Sequence, residues 1–537
     1  MADFRDKVPH TFATIIIGQG SEAVSFINRM DNKMSDKNLH LTNLSVDQLN
    51  ADTIKYSFSI QYHPNSFSKA DTLKLERMVS TILTNQANDE NTIIKVKFGY
   101  ISGSPYSNKV KKESALYCGC ILEMKTNIQQ NYIEYSFTAC GTHKIAENTI
   151  LSNDLKLTIK DPITDWIKEK LIMSNNLSSG LVSGFAVSFQ AASGKSNNLF
   201  KPKFDFKSDV EIPSILELTG VRQMLMKTGF DAITVDKMVN GIDLEDILDF
   251  SEYDPNVTLD AQCSLTFPAN FSLMTLLNGL CDKINKLCKM EGITYTKYKH
   301  LYNHSFKVVF DSVIVDQGTL GTIYFTDITD DKNKDNFNYI FNYGFINKGD
   351  TLIDHTVLSW ECDYNATAMI HNSVITDELN VKQAIDNMGT VMSISGGSSP
   401  LEGSVTTGIK VVDAVIIAAE NIAKIKDSWA YPYEATLTVL GNPEPIQVCR
   451  KVIQVIPMIN HNRHHTAGKY LIKGVSHNID SSMTFTTTYQ LIRLNSEKAK
   501  LFEEGQGNYS ELVDLQNAAK SDNVTYKVAF DESMKGN

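Results

Sequence analysis

Apolar and polar residues alternate with period two at several widely separated places, and these stretches set the expected architecture. Over 53–62 the positions Ile54, Tyr56, Phe58, Ile60 and Tyr62 alternate with Thr53, Lys55, Ser57, Ser59 and Gln61, the pattern of a strand with one wet face. Over 433–440 Tyr433, Ala435, Leu437 and Val439 alternate with Glu434, Thr436 and Thr438, and Gly441, Asn442 and Pro443 stop the run. Further strands are expected at 11–17, 94–98, 117–124 and 132–140. In the second half they are expected at 306–315, 323–325, 338–345, 357–361, 451–456 (ending at Pro457), 469–479 and 483–493.

Helical spacing is confined to fewer places. Leu75, Met78, Val79, Ile82 and Leu83 recur at three and four, as do Leu273, Leu276, Leu277, Leu280, Ile284 and Leu287. Asp161, Pro162 and Asp165 mark a helix start over 161–173, and another helix is expected over 213–229. Residues 174–203 are Ser, Asn and Gly rich and predict a loop or weak hairpin, and 395–408 a Gly and Ser linker before a helix at 409–426. The first 145 residues, in the order strand, helix, strand, loop, strand, strand, match the C-terminal strand cluster in element order and not in residue identity.

Three segments within 429–495 carry a resemblance: YPYEATLTVLGNPEPIQV, HHTAGKYLIKGVSHNID and FTTTYQLIRLN. A strand closed by a Gly-x-Pro turn is followed by the paired pieces His465–Tyr470 and Gly474–His477, then by a Thr-rich strand ending in Leu-Ile-Arg. This order resembles the second tube-like domain of baseplate hub proteins of contractile phage tails. The resemblance implies an α+β chain with two small β-barrel or sheet tube-like domains with helices, separated by a mixed α+β insertion. The division is 1–150 for the first tube-like domain, 151–300 for a helix-rich middle and 301–394 for a strand-rich middle. Residues 395–428 are linker and helix, 429–495 the second tube-like domain and 496–537 a polar tail.

The family further implies a structural virion protein of the tail baseplate, assembled in the host cytoplasm. Its partners would be two further copies in a homotrimer, the tail tube or distal tail protein, the central spike, the baseplate wedges and the tape measure protein, with DNA only in transit. Two similar domains per chain let three chains present six similar faces to a six-fold tube while keeping three-fold symmetry toward a spike. Another tail or injection-machine ring component would share the fold and differ in partners.

Composition narrows the choice. The chain has 537 residues, 42% of them hydrophobic and 21% charged, the balance of a globular protein with room for three or four domains. No apolar run approaches the length of a membrane span, and the start lacks the apolar core of a secretory signal. The net charge of -11 opposes a role in gripping nucleic acid and fits a channel wall that repels phosphates. Eight Cys lack the spacing of a disulfide framework or a zinc knuckle, so reduced thiols are expected.

Three constellations invite sharper readings. Gly18 and Gly20 follow a strand and precede a possible helix, the context of a dinucleotide fingerprint, which would make the chain a cytosolic nucleotide-dependent enzyme. The polar stretch 29–37 does not supply the second strand of such a unit, so a turn at a sheet edge is the simpler reading. His461, His464 and His465 with His477 could meet as metal ligands, but no acidic or Cys partner stands at metal spacing, and a polar loop is the simpler reading. Cys118 with Cys120, and Cys281 with Cys288, fall on common faces and read as buried small hydrophobes. No catalytic, cofactor-binding or metal-ligating residue is assigned, and the chain reads as structural rather than enzymatic.

Overall fold

The computed structural model describes residues 10–18, 23–29, 39–51, 53–63, 69–87, 91–102, 113–141, 143–148, 154–158, 161–171, 203–220, 223, 264–267, 271–288, 291–312, 319–329, 336–343, 356–364, 433–444, 448–459 and 462–493. The expected linker at 395–408, the helix at 409–426, most of 174–203 and the tail from 496 lie outside the described residues.

The N-terminal part contains β1 (His10–Ile17), β2 (Val24–Arg29), β3 (Leu39–Asn50), β4 (Thr53–Tyr62), α1 (Lys69–Ala87), β5 (Ile93–Ser102), β6 (Tyr117–Ile128), β7 (Ile133–Gly141) and α2 (His143–Asn148). The middle holds β8 (Leu155–Thr158), β9 (Lys203–Ser208), β10 (Ser264–Phe267), β11 (Phe306–Asp311) and β12 (Thr319–Asp327). The C-terminal part adds β13 (Asn336–Tyr343), β14 (Val357–Tyr364), β15 (Tyr433–Leu440), β16 (Val452–Ile459), β17 (Asn462–Arg463), β18 (Gly468–Ile479) and β19 (Phe485–Arg493).

Each alternating stretch became a strand with its apolar residues inward. In β4, Ile54, Tyr56, Phe58 and Ile60 are buried; in β15, Ala435, Leu437 and Val439 are. The α1 stripe Leu75, Met78 and Ile82 is buried in the same core as β4, while Leu83 of the expected stripe is 53% exposed.

Two sheet units are built from one plan. In the first the strands lie in the order β3-β4-β7-β6-β5-β1, with β2 beyond β1; in the second the order is β14-β15-β19-β18-β16-β13. Numbered by position along the chain, these are the same path. Irregularities coincide as well. The β3–β4 ladder is interrupted between Leu41 and Asn43, and β14–β15 between Val357 and Ser359; β6–β7 slips between Ile121 and Glu123, and β18–β19 between Ile472 and Gly474.

Matching the ladders places Phe58 with Leu437, Phe137 with Tyr489, Cys120 with Leu471 and Ile128 with Ile479. The outer strand differs: β1 runs antiparallel to β5, and β13 parallel to β16. The first unit also has α1 between β4 and β5, whereas no helix is described between β15 and β16.

Sheet units with helices are thus present, but no closed barrel is found among the described residues. β2 and β3 share no ladder; the Asn28 side-chain amide donates to the Leu41 carbonyl across that gap at 2.7 Å.

Between the units sits a helix and sheet region. Leu273–Cys288 forms one helix whose expected stripe, Leu273, Leu276, Leu277, Leu280, Ile284 and Leu287, is wholly buried against β11 and β12. The helix expected over 161–173 starts at Ile163 as an α-turn and widens to a π-turn over Ile167–Leu171. Of 213–229, Ile215–Thr219 is helical, begun by a Ser214 cap to the Glu217 amide and ended by Gly220 in a left-handed conformation.

The division at 394 is crossed by pairing: β13 and β14, which pattern alone groups with the strand-rich middle, are strands of the second unit, because their partners β16 and β15 lie far along the chain. The strand expected to end at Pro457 runs on to Ile459. Val455 is the last β16 residue paired to β18, so the missing Pro457 donor costs that ladder nothing.

Candidate functional site

The two units are joined edge to edge. β18 is long enough to serve two neighbours on one side: Gly468–Leu471 pairs with β16, and Val475–Ile479 pairs antiparallel with β3 of the first unit. One sheet therefore passes without interruption from β14 to β2. Gly474 makes the crossing possible, since a Cβ there would lie 2.6 Å from the Leu49 carbonyl oxygen.

Behind the ladder the β18–β19 hairpin plugs the first unit. Ile479, Met483 and Phe485 belong to the core formed by Phe58, Phe98 and Phe137. The Phe485 ring is 5.4 Å from Phe98 and 5.6 Å from Tyr100. Thr11 Oγ1 donates to the Met483 carbonyl at 2.5 Å, and Tyr100 Oη to the Gly441 carbonyl at 2.8 Å. His477 is buried in this seam, 5.0 Å from the Phe98 ring centroid, with Nδ1 3.1 Å from Thr487 Oγ1. Burial away from water holds its pKa down at about 3, so the imidazole is neutral.

In front of the ladder lies a continuous polar face. Paired residues share a face, so Asp47 and Ser476 align with Lys55, Thr488 and Thr438, and the Ser476 hydroxyl donates to the Asp47 carboxylate across the seam. Hydroxyls pair across strands at matching places in the two units: Ser59 with Ser136 at 3.1 Å, and Thr438 with Thr488 at 3.2 Å. By the same rule the charged residues of this face are Asp47, Glu123, Glu134, Glu361, Asp363 and Glu434 with Lys55, Lys95, Lys97, Lys125, Lys469 and Lys473, and Lys473 Nζ is 3.1 Å from Glu434. The face is hydroxyl-rich and carries both signs of charge.

The middle region is tied in at the seam. The Phe310 amide donates to the Ala51 carbonyl at 3.1 Å, and the Cys118 amide to the Ser312 carbonyl at 2.8 Å. Arg450 of the second unit bonds Asp209 at 2.9 Å and lies 4.0 Å over the Tyr324 ring.

The sharper constellations resolve in simple terms. Gly18, with φ of 90°, leads out of β1 into β2, which returns antiparallel along it. Among the described residues the element after that turn is a strand, where a dinucleotide fingerprint calls for a helix; Gly20 lies outside the described residues. The His464 and His465 rings lie tilted with centroids 4.1 Å apart, with His464 Nδ1 2.8 Å from Thr466 Oγ1, whereas His477 is in the seam and His461 is outside the described residues. Among the described residues no three His, Cys, Asp or Glu side chains gather as metal ligands.

Cys118, Cys120, Cys281 and Cys288 are buried and not joined in disulfides, and burial raises Cys118 to about 11 and Cys120 and Cys281 further. No described helix is long and apolar enough to cross a membrane. Sequence pattern did not point to the seam residues Asp47 and Ser476; the signal lay in two hairpins that share a bulge position.

No protein-family model matches the sequence, and neither does any curated protein. Several solved structures resemble it distantly. A tail protein from Neisseria meningitidis MC58 aligns over 90% of this chain and 96% of its own, at 7% identity and a TM-score of 0.41. The 43 kDa tail protein of prophage MuSo2 from Shewanella oneidensis aligns over 90% and 98%, at 10% identity and 0.39. An E. coli component of the type VI secretion system, described as structurally similar to T4 bacteriophage tail proteins, aligns over 86% and 76%, at 7% identity and 0.36.

Proposed function

We propose that this chain is a structural hub of a contractile-tail baseplate: a homotrimer whose six sheet units form a ring between a six-fold tube and a three-fold spike. The observation that carries the reading is the pair of units with one strand order, joined by β18 and β3 into a single sheet. A chain that already places two equivalent units side by side needs only to repeat that junction to close a ring, and closure removes exposed strand edges. The motifs in 429–495 that resemble tail hubs lie in the unit that makes the junction.

In this reading the polar face lines the channel. Its Ser, Thr and Asn side chains would leave passing DNA hydrated, and the net charge of -11 on each chain would oppose the sticking of phosphates. The flat ends of the ring would meet the tail tube or distal tail protein on one side and the spike on the other, with the tape measure protein in the lumen before ejection. The middle region, bonded to both units at the seam, would stiffen the ring and face the wedges. A ring component of another injection machine would use the same junction with other partners. The role is structural, without a catalytic centre.

Immunogold labelling of tail particles from the producing cells tests the placement. An antibody to this chain is expected to mark a single site at the plate end of each tube. Label along the whole tube or sheath, or no label on particles, would overturn the hub assignment.

A further inference from the structure

The equivalence of the two units identifies which edges are left over. β18 meets β16 with its first residues and β3 with its last; β6, its counterpart, meets β5 only through Tyr117–Cys120, and 121–128 has no ladder on that side among the described residues. β3 has neighbours on both sides; β14, its counterpart, is paired among the described residues only to β15. The side chains behave accordingly. Ile479, at the end of β18, is 2% exposed, whereas the equivalent Ile128 is 73% exposed, the largest value among the large apolar side chains so described. Isolated exposed apolar residues are ordinary, but this one stands where the second unit has a buried plug.

We propose that residues 124–128 of β6 in one copy pair antiparallel with β14 of a second copy of this chain, repeating between chains the junction that β18 and β3 make within it. This rests on the ring reading above. The internal register, Ser476 opposite Asp47 and Ile479 opposite Leu44, transfers directly. It sets Lys125 opposite Asp363, Thr126 opposite Cys362, Asn127 opposite Glu361 and Ile128 opposite Trp360. Asp363 occupies the place of Asp47, and Lys125 the place of Ser476, so an ion pair replaces the hydroxyl to carboxylate bond of the internal seam. Trp360 is half-buried and Ile128 would cover it.

Lys125 and Asp363 are exposed in the single chain, so exchanging them leaves the fold intact. The two edges are different surfaces on different units, so the contact is head to tail and closes into a ring when its rotation repeats that of the internal seam. β6 and β14 satisfy each other's exposed backbone groups, as strand addition does in general.

The test is the assembly state of the full chain by native mass measurement, for wild type, K125E, D363K and the double variant, with circular dichroism to confirm folding. Wild type is expected at three times the 60.0 kDa chain mass. Each single variant, placing like charges opposite one another, is expected to raise the concentration needed for assembly by about tenfold, and the double variant to restore it. A three-copy wild type indifferent to both single changes would overturn the register while leaving the hub reading intact. Charge-dependent assembly into a number other than three would uphold the contact and overturn the hub reading. A wild type that stays monomeric at all concentrations would overturn both.

Discussion

His477 gives the seam a pH dependence that can be worked from the structure. The imidazole is buried between Phe98, Phe485 and Thr487, and desolvation holds its pKa at about 3 against about 6.5 in the unfolded chain. A group whose folded pKa is depressed adds nothing to acid sensitivity above the unfolded value. Below pH 6.5 the unfolded chain binds the proton and the folded chain does not, so stability is lost as pH falls toward 3. At 1.36 kcal/mol per pH unit, the loss between pH 7 and pH 4 is about 3 kcal/mol from this residue alone. Carboxylates also titrate in that window, so the informative quantity is a difference. His477→Gln keeps a hydrogen-bonding partner for Thr487 and removes the titration. Denaturant unfolding of both proteins at pH 7 and pH 4 is expected to show wild type losing about 3 kcal/mol more than the variant. Equal losses in the two proteins would refute the placement of a neutral imidazole in the seam.

Other consequences of the seam are accessible to the same methods. Gly474→Val puts a side chain against the Leu49 backbone, 2.6–2.9 Å from its nearest atoms, and is expected to cost about 2 kcal/mol and lower Tm, while leaving the middle-region helix content unchanged by circular dichroism. Phe485→Ala removes the ring lodged between Phe98 and Tyr100 and is expected to cost about 3–5 kcal/mol, with faster proteolysis of the hairpin that carries it. A loss under about 1 kcal/mol would mean that the hairpin does not plug the first unit.

The strands most legible in the sequence were those with unbroken alternation. β4 and β15 have it because each is central to its unit, with one face in the core and one in water. β3 was not legible: its apolar residues run Leu39, Leu41, Leu44, Val46, and the bulge after Leu41 shifts the period by one, so alternation fails although every residue of that set is inward where described. β2 was hidden for a different reason, being a short edge strand after a Gly turn that could equally have opened a helix. The amphipathic helix at 273–288 was readable from its stripe because its packing is local to one face.

What pattern cannot carry is long-range pairing. Nothing in 336–343 announces that it lies parallel to β16 more than a hundred positions later, and nothing in Val475–Ile479 announces β3 as a partner. The repeat of element order was visible, whereas the matching bulges that align Asp47 with Asp363 and Ile479 with Ile128 exist only in the ladders. The polar face was half visible: the outward Ser and Thr of β4 and β15 are in the pattern, but their union into one polar surface depends on the seam.

The most direct test of the account is the mass and rotational symmetry of the purified chain in solution, by native mass measurement together with class averages of single particles. Particles of three times the 60.0 kDa chain mass are expected, ring-shaped, with six similar lobes around an open centre and three-fold symmetry overall. A compact monomer that persists at high concentration, or a closed two-fold dimer without a lumen, would contradict it.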